Sequence, residues 1–496
     1  MLSRLNLLKE LDFGESVAED EDDDRLASYF VETDTWNRLI NGEVDIVYGA
    51  KGSGKSAMYK HLLYNKDALN KRRIALLPAE NISGTAVFKS VLSSQELSEN
   101  SYKHIWFLYI ISIIAKYINE LEEQTHQSKE FISRVKNEGL LEGNGLRRIL
   151  SNVKDYVINL FKRLEFQGGL HWDSNTLMPE FTGKIALSEP SLEQKKLGFI
   201  SVYDVLDMAE EALRSLNIET WIIFDRLDVS FSENPSIEKV AIRTLFQVYN
   251  DLKSYEKINL KIFIRDDIWK RITDGGFREA SHINKYVTIK WDELTLMHLI
   301  TSRILDNEIL INLWRLDKKA ILSNSREQEK LFYKVFPKQI DSGEKKPKTF
   351  NWMLSRVRDG NRVVAPRELI QLINEAKKIQ IKDLEIGNAS DNEYEELIER
   401  RAIKDALKEV SKIRLEQTIY AEYYHLKEFI ELLEGQKAEQ TLESLSLIYQ
   451  KYKDDRDIKE IVEDLVDIGI FEKRTNTYWV PFIYRPALKL VQGRVE

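Results

Sequence analysis

The segment Gly49-Ala-Lys-Gly-Ser-Gly-Lys-Ser56 matches the pattern G-x-x-x-x-G-K-[ST], whose residue types and spacing suit phosphate binding. Its glycines let the backbone curl so that successive N–H groups converge on phosphate oxygens, and the following helix adds a partial positive charge. Lys55 then reaches the β- and γ-phosphates, and the Ser56 hydroxyl ligates Mg²⁺. The pattern therefore predicts a loop for ATP and Mg²⁺. Its predicted nucleotide-binding residues are Gly49, Ala50, Lys51, Gly52, Ser53, Gly54, Lys55, Ser56 and Ala57.

An acid on a second strand must help to hold the Mg²⁺, and Trp221-Ile-Ile-Phe-Asp225 supplies one. Apolar residues ending in aspartate are typical of a buried strand that reaches the ligand edge of an α/β sheet. Asp225 is therefore predicted to orient the metal. The next position, which commonly carries a second acid in hydrolytic proteins, is Arg226. Asp228 is the next acid, and it either positions the attacking water or caps a turn.

Two arginines complete the predicted site. Arg265 follows the apolar strand 260–264, where it would contact the γ-phosphate or pair with Asp266 or Asp267. Arg367 opens a helix predicted for 367–376, and a cation at a helix N-terminus is unfavourable unless an anion lies close. It either contacts phosphate or packs as a structural side chain. The predicted catalytic residues are Lys55, Asp225, Asp228 and Arg265, with Arg367 in nucleotide binding and with Ser56 and Asp225 as Mg²⁺ ligands.

The elements that must position these residues alternate between strand and helix. Strands are predicted for 43–48, 73–78, 219–224 and 260–264, and helices for 55–69, 202–216 and 237–253. This alternation indicates an α/β P-loop core with a parallel sheet.

The domain organisation follows from changes in pattern along the chain. We predict an N-terminal segment (1–42), a core (43–295) with a helical insertion at about 85–200, a helical lid (296–385) and a helical, winged-helix-like domain (386–496). An irregular or hairpin element is predicted for 167–179. The acidic run 19–24 is interpreted as a solvated loop or tail. The terminal domain is predicted from a helix at 457–468 followed by a hairpin.

Composition excludes several other functions. The absence of cysteine rules out disulfides, thiolate metal sites and a cysteine nucleophile, and the seven histidines are scattered. The apolar run 105–115 is shorter than the roughly 20 residues that span a bilayer and fits a buried core helix better. With no signal peptide, we expect a cytoplasmic protein. The net charge of −8 argues against a general nucleic-acid binder.

Taken together, these residues resemble the STAND and KAP branch of P-loop NTPases, relatives of AAA+ proteins. The shared motifs are Tyr29-Phe-Val31 with Thr33, Asp225-Arg-Leu-Asp228, Arg265 with Asp267-Ile268, and Pro366-Arg367. The resemblance covers about 25–80 and 200–380 well, the C-terminal domain loosely and the insertion hardly at all. It implies an ASCE-type core, a helical lid and a winged helix.

The resemblance also implies residue roles and a function. Arg265 would take the sensor 1 position and Arg367 a sensor 2-like position, with Arg271, Arg278 and Arg303 as candidates for an arginine finger. Such proteins are nucleotide-dependent switches of assembly state, many of them encoded in antiviral defence loci. Since Arg226 departs from the usual acid, slow or partner-gated hydrolysis is expected.

Three functions remain open from the sequence. The first is an ATP-driven switch that self-associates or binds a protein partner through the insertion and the C-terminal domain. The second is a DNA-engaging AAA+-like ATPase, which the acids of the helix 457–468 disfavour because phosphate contact needs basic residues. The third is a scaffold that binds nucleotide without turnover.

Overall fold

A computed structural model describes residues 3–79, 98–143, 145–167, 185–186, 190–196, 199–227, 235–391, 395–450 and 456–495. The chain divides into two compact units. Unit 1 comprises Met1–Asp34, Ala50–Ala57 and Ile289–Glu496, and unit 2 comprises Thr35–Gly49 and Met58–Thr288. The four-domain division stays a prediction.

The strands and helices have the following bounds. The strands are β1 (Ile46–Gly49), β2 (Ile74–Pro78), β3 (Ile185–Ala186), β4 (Ile200–Ser201), β5 (Glu219–Phe224), β6 (Ile258–Arg265), β7 (Tyr286–Thr288), β8 (Lys437–Gln440), β9 (Glu472–Lys473), β10 (Tyr478–Trp479) and β11 (Val491–Arg494). The helices are α1 (Arg4–Glu10), α2 (Asp23–Ser28), α3 (Asp34–Ile40), α4 (Lys55–Tyr64), α5 (Lys66–Lys71), α6 (Glu99–Asn119), α7 (His126–Asn137), α8 (Leu146–Gln167), α9 (Leu192–Lys196), α10 (Val202–Ser215), α11 (Pro235–Leu252), α12 (Asp266–Thr273), α13 (Glu293–Ile304), α14 (Glu308–Trp314), α15 (Lys318–Leu322), α16 (Ser325–Val335), α17 (Thr349–Val357), α18 (Pro366–Glu385), α19 (Arg400–Ile413), α20 (Lys427–Glu431), α21 (Leu442–Tyr449) and α22 (Ile458–Asp467). Single 3₁₀ turns lie at Ala18–Asp20, Arg278–His282 and Tyr424–Leu426, and a π-helical segment spans Arg414–Tyr420.

A five-stranded parallel sheet in the order β2-β5-β6-β1-β7 organises unit 2. Its central strands are buried on both faces, which explains why they are almost continuously apolar in sequence. The strand predicted for 219–224 is observed with the same bounds as β5. The strand predicted for 260–264 is observed as the longer β6, Ile258–Arg265. Because β6 separates β1 from β5, the sheet has the additional strand that defines the ASCE type.

The first described helix of the predicted insertion, α6, belongs to the hydrophobic core of unit 2. It begins at a Ser98 cap, which accepts from the Ser101 N–H. Trp106 Nε1 donates to the Ala241 carbonyl at 2.8 Å, and the Tyr109 hydroxyl donates to the Ala79 carbonyl at 2.7 Å. The run 105–115 is thus a buried core helix, as predicted. The predicted element at 167–179 lies almost entirely outside the described residues.

Among the described helices, none is both long enough and apolar enough to cross a membrane.

A buried ion pair fixes the end of the sheet at which β1 begins. Lys261 Nζ lies 2.8 Å from Asp45 Oδ1, donates to the Val44 carbonyl at 2.7 Å and sits 4.4 Å from the centre of the Trp221 ring. The Lys261 side chain is 1% exposed. Burial lowers the pKa of Lys261, and the Asp45 carboxylate opposes this shift.

Residues 1–34 of the predicted N-terminal segment belong to unit 1, together with the predicted lid and C-terminal region, and residues 35–42 belong to unit 2. Leu7, Leu8 and Leu11 enter the same core as the apolar face of α18. Arg4 is buried, and its guanidinium lies 2.7 Å from Glu399 Oε1.

The interpretation of 19–24 as a solvated loop or tail was wrong in one respect: most of the side chains are exposed, but the run is folded into a 3₁₀ turn and the start of α2. Asp22 caps α2 by accepting from the Arg25 N–H. Glu21 is buried and accepts a hydrogen bond from the Tyr29 hydroxyl. Capping and this buried pairing fold the run, because an acid at a helix N-terminus satisfies otherwise unpaired N–H groups.

The C-terminal part of unit 1 contains the predicted helix and hairpin. Helix α22 is followed by the antiparallel pair β9–β10, within a four-stranded sheet ordered β11-β8-β10-β9. Strands β8 and β11 had no sequence prediction. The winged-helix assignment itself stays a prediction.

Asp45→Ala should lower the free energy of unfolding by about 3–5 kcal/mol, because it leaves the buried Lys261 ammonium without its carboxylate partner. Equilibrium urea denaturation measures this loss. Glu256→Ala, which breaks an exposed pair with Arg214, is the matched control and should cost less than about 1 kcal/mol. Equal losses in the two variants would contradict a structural role for the buried pair.

Candidate nucleotide-binding site

The predicted phosphate-binding loop, residues 49–56, has the backbone that its glycines allow. Gly52 and Gly54 adopt φ values of +76° and +101°, in the left-handed region that favours glycine. The Ser53 N–H donates to the Ala50 carbonyl at 3.2 Å, and Lys55 Nζ donates to the same carbonyl at 3.0 Å. The Lys55 ammonium therefore folds back over the loop, from the first residue of α4.

The start of α18 packs directly on this loop within unit 1. A Cβ on Gly52 would lie 3.0 Å from Arg367 Cβ and 3.4 Å from Ala365 Cβ. Ala365 is the N-cap of α18 and has no side-chain capping bond, and Pro366 occupies the first turn. The structure thus places Arg367 Cβ against the loop, and the choice between phosphate contact and structural packing stays a prediction.

Two buried polar atoms show that this region suits a polyphosphate. Arg367 Nε and Ser53 Oγ have no hydrogen-bond partner in the described part of the chain. Buried polar groups are normally hydrogen-bonded, and a guanidinium or hydroxyl can donate to a phosphate oxygen. The uncapped first turn of α18 adds backbone N–H groups of the same kind.

Two further contacts of the loop were missed by the sequence reasoning. Trp291 Nε1 donates to the Ser53 carbonyl at 2.8 Å. Lys51 Nζ donates to Glu422 Oε1. Neither contact leaves a sequence signal, because each joins the loop to a residue more than 200 positions away.

Within unit 2, the predicted acid and arginine lie at the carboxyl edge of the sheet. Asp225 follows β5 and is 4% exposed. Arg265 ends β6 in register with Gly49, the last residue of β1. Arg265 forms a bidentate pair with Asp267, at 2.9 Å and 2.7 Å, which is the alternative that the sequence left open. Arg226, directly after Asp225, has φ +57°, an uncommon conformation that recurs at functional sites.

The remaining predicted residues have different outcomes. Asp228 lies outside the described residues. Arg303 is buried, donates to the Phe13 carbonyl and lies 4.3 Å from the centre of the Tyr29 ring, so it does not serve as an arginine finger. Arg271 pairs with Glu238, and Arg278 is exposed.

The predicted Mg²⁺ ligands are a hydroxyl and one carboxylate, Ser56 and Asp225. Among the described residues, no group of three or more His, Cys, Asp or Glu could hold a metal ion. A site with few protein oxygen ligands suits Mg²⁺, because this ion keeps several waters and takes further oxygens from nucleotide phosphates. The donor chemistry of the two residues therefore fits a nucleotide-bound Mg²⁺.

Comparisons with known proteins agree with a P-loop ATPase. A family model described as ORC-CDC6-like matches residues 13–164, about a third of the chain, including the loop. This family is not the STAND or KAP branch that the motifs resemble. No curated protein sequence matches significantly. The matched segment and the strand order thus agree with an α/β P-loop NTPase fold of the ASCE type with helical parts.

Solved structures give distant similarities only. The Aeropyrum pernix ORC2 protein (ADPNP-ADP complexes) is 12% identical, with 91% of this chain and 88% of that chain covered and a TM-score of 0.40. The Aeropyrum pernix ORC1 protein in complex with DNA is 11% identical, with 96% of both covered and a TM-score of 0.37. CDC6P from Pyrobaculum aerophilum is 12% identical, with 94% and 96% covered and a TM-score of 0.31.

Gly52→Ala should weaken ATP binding by at least about tenfold, because the new Cβ meets Arg367 and the backbone is left-handed. Titration calorimetry with ATP and Mg²⁺ measures the dissociation constant. Gly275→Ala is the matched control, since its φ is +74° and nothing lies within 4 Å of the added Cβ. Unchanged ATP affinity in Gly52→Ala would show that the close approach of α18 does not matter for binding.

Proposed function

We propose that the chain is an ATP-binding, Mg²⁺-dependent regulatory ATPase that changes its assembly or partner binding with nucleotide state. The observation that carries the proposal is the start of α18 packed on Gly52 of the phosphate-binding loop. A helix N-terminus and an arginine beside such a loop are placed to respond to the phosphates that it binds.

Each predicted residue then has a role. Lys55 neutralises the β- and γ-phosphates, and Ser56 with Asp225 holds the Mg²⁺ that bridges them. Arg265 and Arg367 detect whether the γ-phosphate is present. Hydrolysis is slow or partner-gated, because Arg226 occupies the position where an acid commonly stands and leaves Asp228 to position water.

Within unit 1, a series of contacts links the loop to the C-terminal hairpin. Glu368, in the first turn of α18, pairs with the Arg414 guanidinium, which lies 3.9 Å from Asp359. Next to Asp359, the Gly360 N–H donates to the Gly469 carbonyl at 2.8 Å. A movement of α18 on nucleotide binding would therefore reach the C-terminal region through packed and hydrogen-bonded groups.

The assembly partner belongs to the proposal only as a class. A second copy of the chain or another protein would bind through the 85–200 region and the C-terminal domain. No contact in the described part of the chain favours a role in antiviral defence over another use of such a switch.

Lys55→Ala should weaken ATP binding by about tenfold or more, whereas Asp225→Asn should retain nucleotide and lose about 100-fold in Mg²⁺-dependent turnover. Calorimetry and a phosphate-release assay measure the two effects. Lys66→Ala, an exposed lysine just beyond α4, is the control. Binding and turnover that survive Lys55→Ala would overturn the proposal. Binding without turnover in the wild type, with Mg²⁺ and a partner, would favour the scaffold.

A second candidate function, engagement of DNA, is favoured by an arginine–aromatic cluster at the C-terminal hairpin. The Arg474 and Arg485 guanidinium groups lie 4.7 Å and 4.6 Å from the centre of the Trp479 ring. Arg356 and Arg485 lie 3.7 Å and 4.2 Å from the Phe482 ring. Arg356 comes from α17, so the local sequence of the hairpin does not show that it belongs to this cluster.

The electrostatics of this cluster suit an anion. Burial, followed by repulsion from Arg356 and Arg474, lowers the pKa of Arg485 to about 10. The acids in reach are Glu439, 3.5 Å from Arg474, and Asp341, whose charge acts on Arg356. Three guanidinium groups against two carboxylates leave a local positive charge that a phosphate backbone would neutralise.

The double variant Arg474→Ala/Arg485→Ala should weaken binding to duplex DNA by at least about tenfold. It should also lower the slope of the logarithm of the binding constant against the logarithm of the salt concentration, by an amount equivalent to about two phosphate contacts. Fluorescence anisotropy over a salt series measures both quantities. Lys473→Ala is the control, since Lys473 already pairs with Glu463. A wild-type chain that does not bind DNA at low salt would eliminate this candidate.

A further inference from the structure

A second lysine of the phosphate-binding loop, Lys51, is held by a carboxylate. Its ammonium pairs with Glu422, and the two side chains are 26% and 22% exposed. A lysine in such a loop can also pair with the phosphates of a bound nucleotide. Glu422 and a polyphosphate therefore compete for the same cation, and the Glu422 carboxylate repels the negative ligand.

Glu422 lies at the end of a helix with unusual geometry. Helix α19 continues into the π-helical segment Arg414–Tyr420. Two further helical residues follow, and Glu422 is the second of them. Segments of π-helix are rare and occur frequently at functional sites. The pair with Lys51 thus joins the loop to the end of an irregular helix.

The same helix is also linked to the loop indirectly, through a buried pair with Glu368 of α18. Arg414, at the start of the π-helical segment, pairs with Glu368 Oε1, and Glu368 Oε2 would lie 3.5 Å from a Cβ on Gly52. Burial disfavours the charge of Arg414, but Glu368, Tyr484 and Asp359 outweigh it and raise the pKa of Arg414. The helix is therefore anchored at Arg414.

The two contacts differ in how easily they break. The Arg414 and Glu368 side chains are 10% and 4% exposed, and opening a buried pair is costly. The Lys51–Glu422 pair is partly solvated and contributes little stability, so a competing polyphosphate can open it.

We propose that Glu422 is a positioning residue of the nucleotide site, which holds Lys51 away from the phosphates until ATP draws the lysine off. Opening of the pair frees the Lys51 ammonium for the phosphates and removes this link between the loop and the end of the π-helical segment, while Arg414 stays anchored. ATP opens the pair more fully than ADP, because its additional phosphate gives Lys51 a stronger competing partner. A ligand shifts such an equilibrium by its difference in affinity for the two states. The inference rests on the proposed function, since it requires a nucleotide in the loop.

The test compares ATP and ADP dissociation constants for the full chain and its variants. Glu422→Gln should tighten ATP binding by about threefold or more and ADP binding by less, because the competing charge is removed without a change of shape. Lys51→Met should weaken ATP binding and abolish the effect of Glu422→Gln in the double variant. Glu416→Gln, which removes an exposed acid from the same segment, should change neither constant.

A spectroscopic readout separates this role from a merely structural one. Because the chain has no cysteine, Gln417→Cys allows a single fluorophore to be placed on the exposed side of the π-helical segment. ATP should change its emission in the otherwise wild-type chain, and this change should shrink in Glu422→Gln.

Three results would overturn the inference. The first is ATP binding that is unchanged or weaker in Glu422→Gln. The second is a ratio of ATP to ADP dissociation constants that is the same in Glu422→Gln and the wild type. The third is a fluorophore whose emission does not change when ATP binds. A wild-type chain that binds ATP normally while Glu422→Gln has no effect leaves the proposed function standing. If the wild-type chain does not bind ATP, both the inference and the proposed function are wrong.

Discussion

The close approach of α18 to the phosphate-binding loop is the constraint on which unit 1 depends. The loop can meet the helix only where it lacks a side chain, at Gly52, and the helix contributes the small residue Ala365 and the Cβ of Arg367 at this point. Pro366 fixes the backbone at the first turn. A residue larger than glycine at position 52 would push α18 away from the phosphate-binding loop. The structural basis for the proposed nucleotide response would then be lost.

This contact also sets the electrostatics around the loop. Two acids, Glu368 and Glu422, come close to a loop built to attract anions, and each is paired with a cation, Arg414 or Lys51. The buried pair keeps α18 and the helix of Arg414 together, because a charge left alone there would be strongly destabilising. The partly exposed pair is the one that a nucleotide can rearrange. In the proposed switch, stability and responsiveness therefore reside in different ion pairs.

Sequence patterns predicted the features that depend on residues close together in the chain. The strand 219–224, the core helix around 105–115 and the glycine-rich loop follow from hydrophobic runs and from conformations that only glycine adopts readily. The sequence also singled out Arg367, because a cation at a helix N-terminus is unfavourable without an anion nearby, and its contact with phosphate stays a prediction. Pairings across the chain were not predictable: Lys51 and Glu422 are 371 positions apart, and neither residue type is unusual where it stands. The acidic run was misread for the same reason, because the partners that fold it, Tyr29 above all, are recognised only in three dimensions.

The most direct test of the account is hydrogen–deuterium exchange of the wild-type chain without nucleotide, with ADP, and with a non-hydrolysable ATP analogue, each with Mg²⁺. We expect the amides of 49–56 to be protected by both nucleotides, and those of 365–370 to be protected more by the ATP analogue than by ADP. This result would show that the start of α18 responds to the γ-phosphate. Protection of the loop with no difference at 365–370 between the two nucleotides would contradict the switch, and no protection at either segment would contradict nucleotide binding itself.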